Sequence, residues 1–292
     1  VLALAGKSGC GKTTLVKCIY GLEDLHGGEV KIDDEIVLGP AYNLIPGHKD
    51  MSLVSQDFYV LDNHTVTENI TDKLIGYTDD YKQKRASQLL KLLELHHLRD
   101  TKARFLSSGQ KQRVAIARAL SIIPKLLLLD EPFSNLDKLL TDKLFAFINK
   151  EVKKNHTSVI LVTHAAEEAI KYADRIAVMD DGRIRQIGEK WKVYYEPKNT
   201  KLAGLMGDYN VVRKEDLEKN SRTIRSKIIL RPDKIKPGEG KNAARLPLKI
   251  TNCTYNGKCF ELLAETKSGR TVIFYSSKEI KEEKEIIAYI EN

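Results

Sequence analysis

The feature that most constrains this chain is a glycine-rich loop set between an apolar run and a helix. Val1-Leu2-Ala3-Leu4-Ala5 is continuously apolar and leads straight into Gly6-Lys7-Ser8-Gly9-Cys10-Gly11-Lys12-Thr13. Such a run marks a strand buried on both faces of a parallel sheet. Three glycines let the backbone curl so that its N–H groups converge on an anion. The helix expected from Lys12 to Tyr20 aims the positive end of its dipole at the same point. Gly, four residues, then Gly-Lys-Thr is the spacing that cradles a nucleoside triphosphate. Lys12 is placed for the β- and γ-phosphates and Thr13 for Mg²⁺. Gly6 to Thr13, with Thr14 behind them, form the expected nucleotide-binding set. Within it Lys7 is a loop side chain near phosphate, and Cys10 is a small filler that alkylation can reach. A chain seldom begins at the centre of its own sheet, so a segment before Val1 is expected.

Lys125-Leu126-Leu127-Leu128-Leu129-Asp130-Glu131 reads as a second buried strand ending in two carboxylates. Asp130, at the strand's end, is expected to hold the Mg²⁺ shell, and Glu131 to polarise the attacking water as general base. A third strand, Ser158-Val159-Ile160-Leu161-Val162, ends at Thr163-His164. Ligands of open α/β sheets gather at the carboxyl ends of the strands. His164 is therefore expected on the reacting edge, donating to the γ-phosphate or to water.

Leu106-Ser107-Ser108-Gly109-Gln110-Lys111-Gln112-Arg113 resembles the signature motif of ABC-type ATPases, with Ser108 where the family usually has Gly. Ser107 suits a helix cap and Gly109 leaves the backbone open to phosphate. Gln56, after Met51-Ser52-Leu53-Val54-Ser55, resembles the family's glutamine loop; Ser134-Asn135-Leu136-Asp137 resembles its D-loop; His164 resembles its switch histidine. The resemblance implies an ATPase with ATP and Mg²⁺ as cofactors, Gln56 serving both catalysis and the metal. It implies a head-to-tail homodimer, each ATP held between one subunit's phosphate loop and the other's Ser107, Ser108, Gly109 and Gln110, with Asp137 alongside. The aromatic side chain that the family stacks on adenine is expected ahead of Val1. Residues 57–106 read as a mostly helical insert. Within it 87–98 is expected as a helix burying Leu89, Leu90, Leu92, Leu93 and Leu95. In the family this region grips a membrane subunit, which makes Phe58, Tyr59, Val60 and Leu61 candidate contacts.

Ile176-Ala177-Val178-Met179, a turn at Asp180-Asp181-Gly182 and the run from Arg183 to Gly188 read as a hairpin. Beyond it, Tyr194-Tyr195-Glu196-Pro197 and Ile229-Leu230-Arg231-Pro232-Asp233 resemble importer ATPases of the maltose, polyamine and ferric-iron type. Short alternating runs at 246–251, 259–264, 271–275 and 286–290 suit a small OB-like β-barrel. The expected fold class is α/β, a P-loop ABC cassette with a parallel-sheet core and helical subdomain, followed by that barrel. Expected bounds are 1–205 for the ATPase domain (helical subdomain about 57–120), 206–224 for a linker and 225–292 for the barrel.

Composition narrows the function classes. Apolar residues at 42% and charged ones at 30% exclude a disordered chain. No apolar stretch approaches the ~20 residues of a membrane-spanning helix. Of the +8 net charge, +6 lies in residues 201–292, from 19 basic and 13 acidic side chains. Lys and Glu alternate finely there, as on a solvated surface, so no nucleic-acid partner is expected. Four scattered cysteines suit free thiols in a reducing compartment. The leading expectation is the ATP-hydrolysing subunit of a bacterial importer, cytoplasmic and peripheral on the inner membrane face. Its partners are then permease subunits and, indirectly, a solute-binding protein; polyamine or ferric iron leads as solute by general likeness, with sugar, sulfate, molybdate and phosphonate open. The alternatives are a non-transport ABC ATPase acting on nucleic acid or ribosomes, and an exporter cassette. Lys12 and Ser107 are only 95 residues apart, too close for the long coiled coil of repair ATPases, and the barrel speaks against an exporter.

Overall fold

Two compact units divide the chain, residues 1–187 and 188–292. The computed structural model describes residues 1–218, 227–238, 240 and 243–291. In the first unit the apolar runs form β1 (Leu2–Ala5), β4 (Met51–Val54), β5 (Leu126–Asp130), β6 (Ser158–Thr163) and β7 (Arg175–Asp180), with β8 (Arg183–Glu189) at one edge. The strand order is β4-β5-β6-β1-β7-β8. Pairing from β4 through β7 is parallel. The short pair β2 (Lys31–Ile32) and β3 (Glu35–Ile36) stands apart from this sheet. Asp181 and Gly182 both adopt positive φ, 48° and 68°. That is the backbone of a two-residue turn matched to strand twist, and it makes the expected hairpin.

Side chains alternate across the sheet, as the period of two requires. Leu127 and Leu129 of β5, with Val159 and Leu161 of β6, face one core. Leu128 and Val162 face the other, with Val16 of α1 (Lys12–Tyr20). The first core continues into the helical insert: α2 (Val66–Thr71), α3 (Asp79–Leu92) and α4 (Ser108–Ser121) bury Ile70, Leu89, Leu90, Ile116 and Leu120 in it. At about 1.5–3 kcal/mol per fully buried aliphatic side chain, this shared core holds the insert rigidly on the sheet. α5 (Lys138–Asn155) adds Leu144 and Ile148; α6 (Ala166–Tyr172) lies between β6 and β7 in the chain.

The helix expected at 87–98 begins and ends earlier. Thr78 caps it by accepting from the Tyr81 N–H, Asp79 and Asp80 occupy its first turn, and the chain leaves it at Leu93. Glu94 then takes a φ of 57°. His96–Leu98 form a separate 3₁₀ turn. Leu89, Leu90, Leu93 and Leu95 are buried nonetheless, because the turn folds Leu95 back onto the same core.

The second unit holds α7 (Lys190–Tyr195), α8 (Thr200–Leu205), the pair β9 (Asn210–Arg213) and β10 (Lys227–Leu230), and a five-stranded antiparallel sheet. That sheet runs β11 (Ile235–Pro237), β15 (Glu285–Ile290), β12 (Ala244–Tyr255), β13 (Phe260–Thr266), β14 (Thr271–Ser276). Its edge strands β11 and β14 lie close together, so it curls nearly closed. Leu246, Leu248, Ile250, Leu262, Phe274 and Ala288 fill the interior. This is the barrel architecture expected. Helices α7 and α8, expected with the ATPase domain, count with this unit. Residues 219–226, which span part of the expected linker and the first residues of the expected barrel range, lie outside the described residues.

A buried arginine explains why those helices belong to the barrel. Arg231 is 2% exposed. Its guanidinium donates to the carbonyls of Tyr194, Ala203, Gly207 and Asp208 at 2.9–3.0 Å and lies 4.2 Å from the Tyr194 ring centre. Unpaired buried carbonyls each cost about 1–3 kcal/mol. Arg231→Met should therefore destabilise the protein by about 3 kcal/mol or more, read as a lowered urea midpoint. A loss below about 1 kcal/mol would show that the arginine is not what clasps α7 and α8 to the barrel.

Candidate functional site

The parallel register brings four strand ends to one edge. Ala5 lies opposite Thr163, Asp130 opposite Val162 and Leu129 opposite Val54. The residues that follow each strand therefore emerge together: Gly6 after β1, His164 after β6, Glu131 after β5 and, two residues past β4, Gln56.

The loop after β1 is shaped by close approach. A Cβ on Gly6 would lie 2.3 Å from the Met179 carbonyl oxygen and 2.8 Å from Cys10 Sγ, so no side chain fits there. Gly11 caps α1 with a φ of 99°, in the left-handed region that favours glycine. The Gly182 N–H donates to the Cys10 carbonyl at 3.1 Å, joining the hairpin tip to the loop. Lys7, Ser8, Gly9 and Thr14 are exposed, as a ligand-facing rim requires. Lys12 is buried and donates from Nζ to the carbonyls of Gly6 and Lys7, both at 2.9 Å.

Asp130 is 2% exposed, and burial pushes its carboxyl up from the ordinary carboxylate range. A hydrogen bond from the Thr13 side chain opposes this, and the Glu131 charge adds to it. Oδ1 of Asp130 is buried without a hydrogen-bond partner. A hydroxyl and a carboxylate oxygen, one with a free lone pair, form the hard donor set that Mg²⁺ prefers. Among the described residues no group of three or more His, Cys, Asp or Glu could hold a metal by itself.

Glu131 sits at a φ of 48°, uncommon for a side-chain-bearing residue. Its N–H donates to the Val162 carbonyl at 3.1 Å, and its Oε1 lies 3.2 Å from Nδ1 of His164. His164 is more than half exposed. Thr163 shapes that turn: its hydroxyl donates to Glu168 Oε2 at 2.6 Å and accepts from the Ala165 N–H at 3.0 Å. Gln56 is exposed on the same sheet edge.

Ser107 caps α4 in a reciprocal box: its hydroxyl accepts from the Gln110 N–H at 3.3 Å, and its N–H donates to Gln110 Oε1 at 2.9 Å. Ser107 and Ser108 are exposed at the head of this helix. Gly109 faces the loop before α5, 3.9 Å separating its ideal Cβ from the Asn135 carbonyl oxygen. Asp137, exposed, caps α5 through a 2.9 Å bond from the Leu140 N–H. Of the candidate membrane-subunit contacts, Tyr59 is exposed with the Arg118 guanidinium 5.3 Å from its ring centre, while Phe58 and Val60 pack on the core.

Two residues near this edge are given no role by the sequence reading, although the second lies within the signature motif. One is Glu168. The other is Gln112, fully buried, whose Nε2 donates to the Pro132 carbonyl at 2.7 Å. Its signal was available: Gln112 sits four and eight residues before Ile116 and Leu120, a polar residue on an apolar helix face.

The ABC transporter family model matches residues 1–134. The spermidine/putrescine import ATP-binding protein of Legionella pneumophila is 34% identical over 93% of this chain and 81% of its own length. An Fe(3+) ions import ATP-binding protein of Haemophilus influenzae is 35% identical over 76% of this chain and 63% of its own. The chain spans less than two thirds of the length of this and other curated relatives. A dimeric ATP-binding cassette solved with ADP and Pi is 29% identical, with a TM-score of 0.55 over 65% of this chain and 84% of that one. No helix among the described residues is long and apolar enough to cross a membrane.

The raised Asp130 carboxyl gives a test in the unliganded protein. A native pKa above the unfolded one means stability falls as pH rises through the window between them. Asp130→Asn should therefore raise the melting temperature at pH 7. The gain should vanish below the ordinary aspartate range, where both states are protonated. An equal or lower melting temperature at pH 7 would mean that the buried charge is compensated.

Proposed function

The chain belongs to the ABC transporter family, and from that premise we propose that it is the ATP-hydrolysing subunit of a bacterial importer. The observation that carries this reading is the single sheet edge on which the phosphate loop, Asp130, Glu131 and His164 meet. ATP would enter the loop after β1, where Lys12 exchanges its bonds to Gly6 and Lys7 for phosphate oxygens. The backbone N–H groups of the exposed residues Ser8 and Gly9 and the head of α1 would add positive potential. Thr13 and Asp130, with Gln56 nearby, would hold Mg²⁺, which neutralises charge on the β- and γ-phosphates. Glu131 then takes a proton from the attacking water, and His164, in contact with that carboxylate, keeps it oriented and donates toward the γ-phosphate.

This half of the site covers one side of the phosphates. The exposed head of α4 supplies what the other side needs, a capped helix N-terminus with open backbone at Gly109. It supports a head-to-tail dimer in which Ser107, Ser108, Gly109 and Gln110 of one copy close on the ATP of the other, with Asp137 alongside. Closing on ATP and opening after hydrolysis would move the two helical inserts, each rigid on its sheet, and with them the permease subunits docked near Tyr59. That docking would hold the protein on the inner membrane face. Relatives named for polyamine and for iron are about equally similar, so the reading stops at solute uptake, with a solute-binding protein acting through the permease. The proposed domain division follows the same logic, an ATPase body and a separate barrel.

Glu131→Gln should cut ATP turnover by about 10²–10⁴-fold while ATP binding persists. With Mg-ATP this variant should accumulate as a dimer in light scattering. A variant that stays monomeric at every concentration, or turns over normally, would sink the reading.

A further inference from the structure

Gln112 stands between the two halves of the site. It lies in the first turns of α4, the helix whose head carries Ser107 to Gln110, and its Nε2 donates to the carbonyl of Pro132 at 2.7 Å. Pro132 directly follows Glu131. The bond is buried at both ends: Gln112 is fully buried and Pro132 is buried. Its geometry fits a positioning role better than a packing role. An apolar side chain would fill the same space, yet here an amide is kept although its Oε1 has no hydrogen-bond partner.

Glu131 needs such support. Its backbone is in the left-handed region at a φ of 48°, a conformation that persists only where neighbours over-determine it. On one side its own N–H is fixed to the Val162 carbonyl. On the other, Pro132 follows directly and has no N–H to anchor; its own carbonyl, one peptide further on, is the one Gln112 holds. The carboxylate is thus aimed from both flanks, by β6 and by α4.

We propose that Gln112 is a positioning residue for Glu131 of its own chain. It ties the aim of the base to the helix that faces the partner copy's nucleotide. The helix head would then report on one ATP while the amide on its second turn steadies the base acting on the other. This rests on the proposed ATPase reading.

Mixed dimers separate the two. In the first, one copy carries Gln112→Met and the other Glu131→Gln, so the working base sits in the chain that lacks the amide. In the second, one copy carries both substitutions and the other neither, so the working base sits in the intact chain and only the facing helix is altered. The first dimer should turn over roughly tenfold more slowly than a dimer carrying Glu131→Gln alone in one copy, with KM for ATP unchanged. The second should match that control. Slowing confined to the second dimer would assign Gln112 to the facing helix and overturn the proposal, as would equal slowing in both, no slowing in either or a rise in KM without a fall in kcat. If the methionine variant does not fold, Gln112→Asn keeps the amide but is too short to reach Pro132, and the same outcomes apply. A control dimer without any ATPase activity would instead count against the proposed function.

Discussion

Parallel pairing of buried strands is the constraint on which the rest of this protein depends. Because β1, β4, β5 and β6 run the same way in one sheet, whatever follows each of them is delivered to the same edge. No side chain has to travel for the glycine loop, the two carboxylates and the histidine to meet. The register also separates the tasks of neighbouring residues. Asp130 still belongs to its strand and is buried against Thr13; Glu131, one step beyond, has turned toward His164. One residue of offset thus separates the carboxylate proposed for charge neutralisation from the one proposed for proton transfer.

Most of this was legible in the residues. The loop declared itself through glycine spacing and a following lysine, the strands through unbroken apolar runs, and the hairpin through Asp-Gly. The head of α4 was readable from a serine three residues ahead of a glutamine, and the structure forms that reciprocal cap. What was less legible depended on contacts distant in sequence. Helix α3 was expected to start at Ser87 because its leucines cluster there, but the polar turn from Asp79, capped by Thr78, carries no apolar signal. The bonds of Gln112 to Pro132 and of Thr163 to Glu168 are tertiary choices that no local period reveals. Nor does periodicity show that Arg231 gathers four carbonyls, one from each of two preceding helices and two from the turn after the second.

The insert and the sheet share a single apolar core. A helix head held that firmly moves only when the whole unit moves, which suits an assembly that works by opening and closing between copies rather than by bending within one. The barrel, by contrast, has a core of its own, built from strands that local pairing can assemble.

The left-handed backbone at Glu131 sets fold and chemistry against each other at one position. Glycine there would relax the turn and firm the fold while erasing the proposed base; any other carboxylate-bearing chain must accept the same contorted peptide. Selection for robustness alone would drift this site toward glycine. Its glutamate is the mark of a chain kept for its work rather than for its endurance.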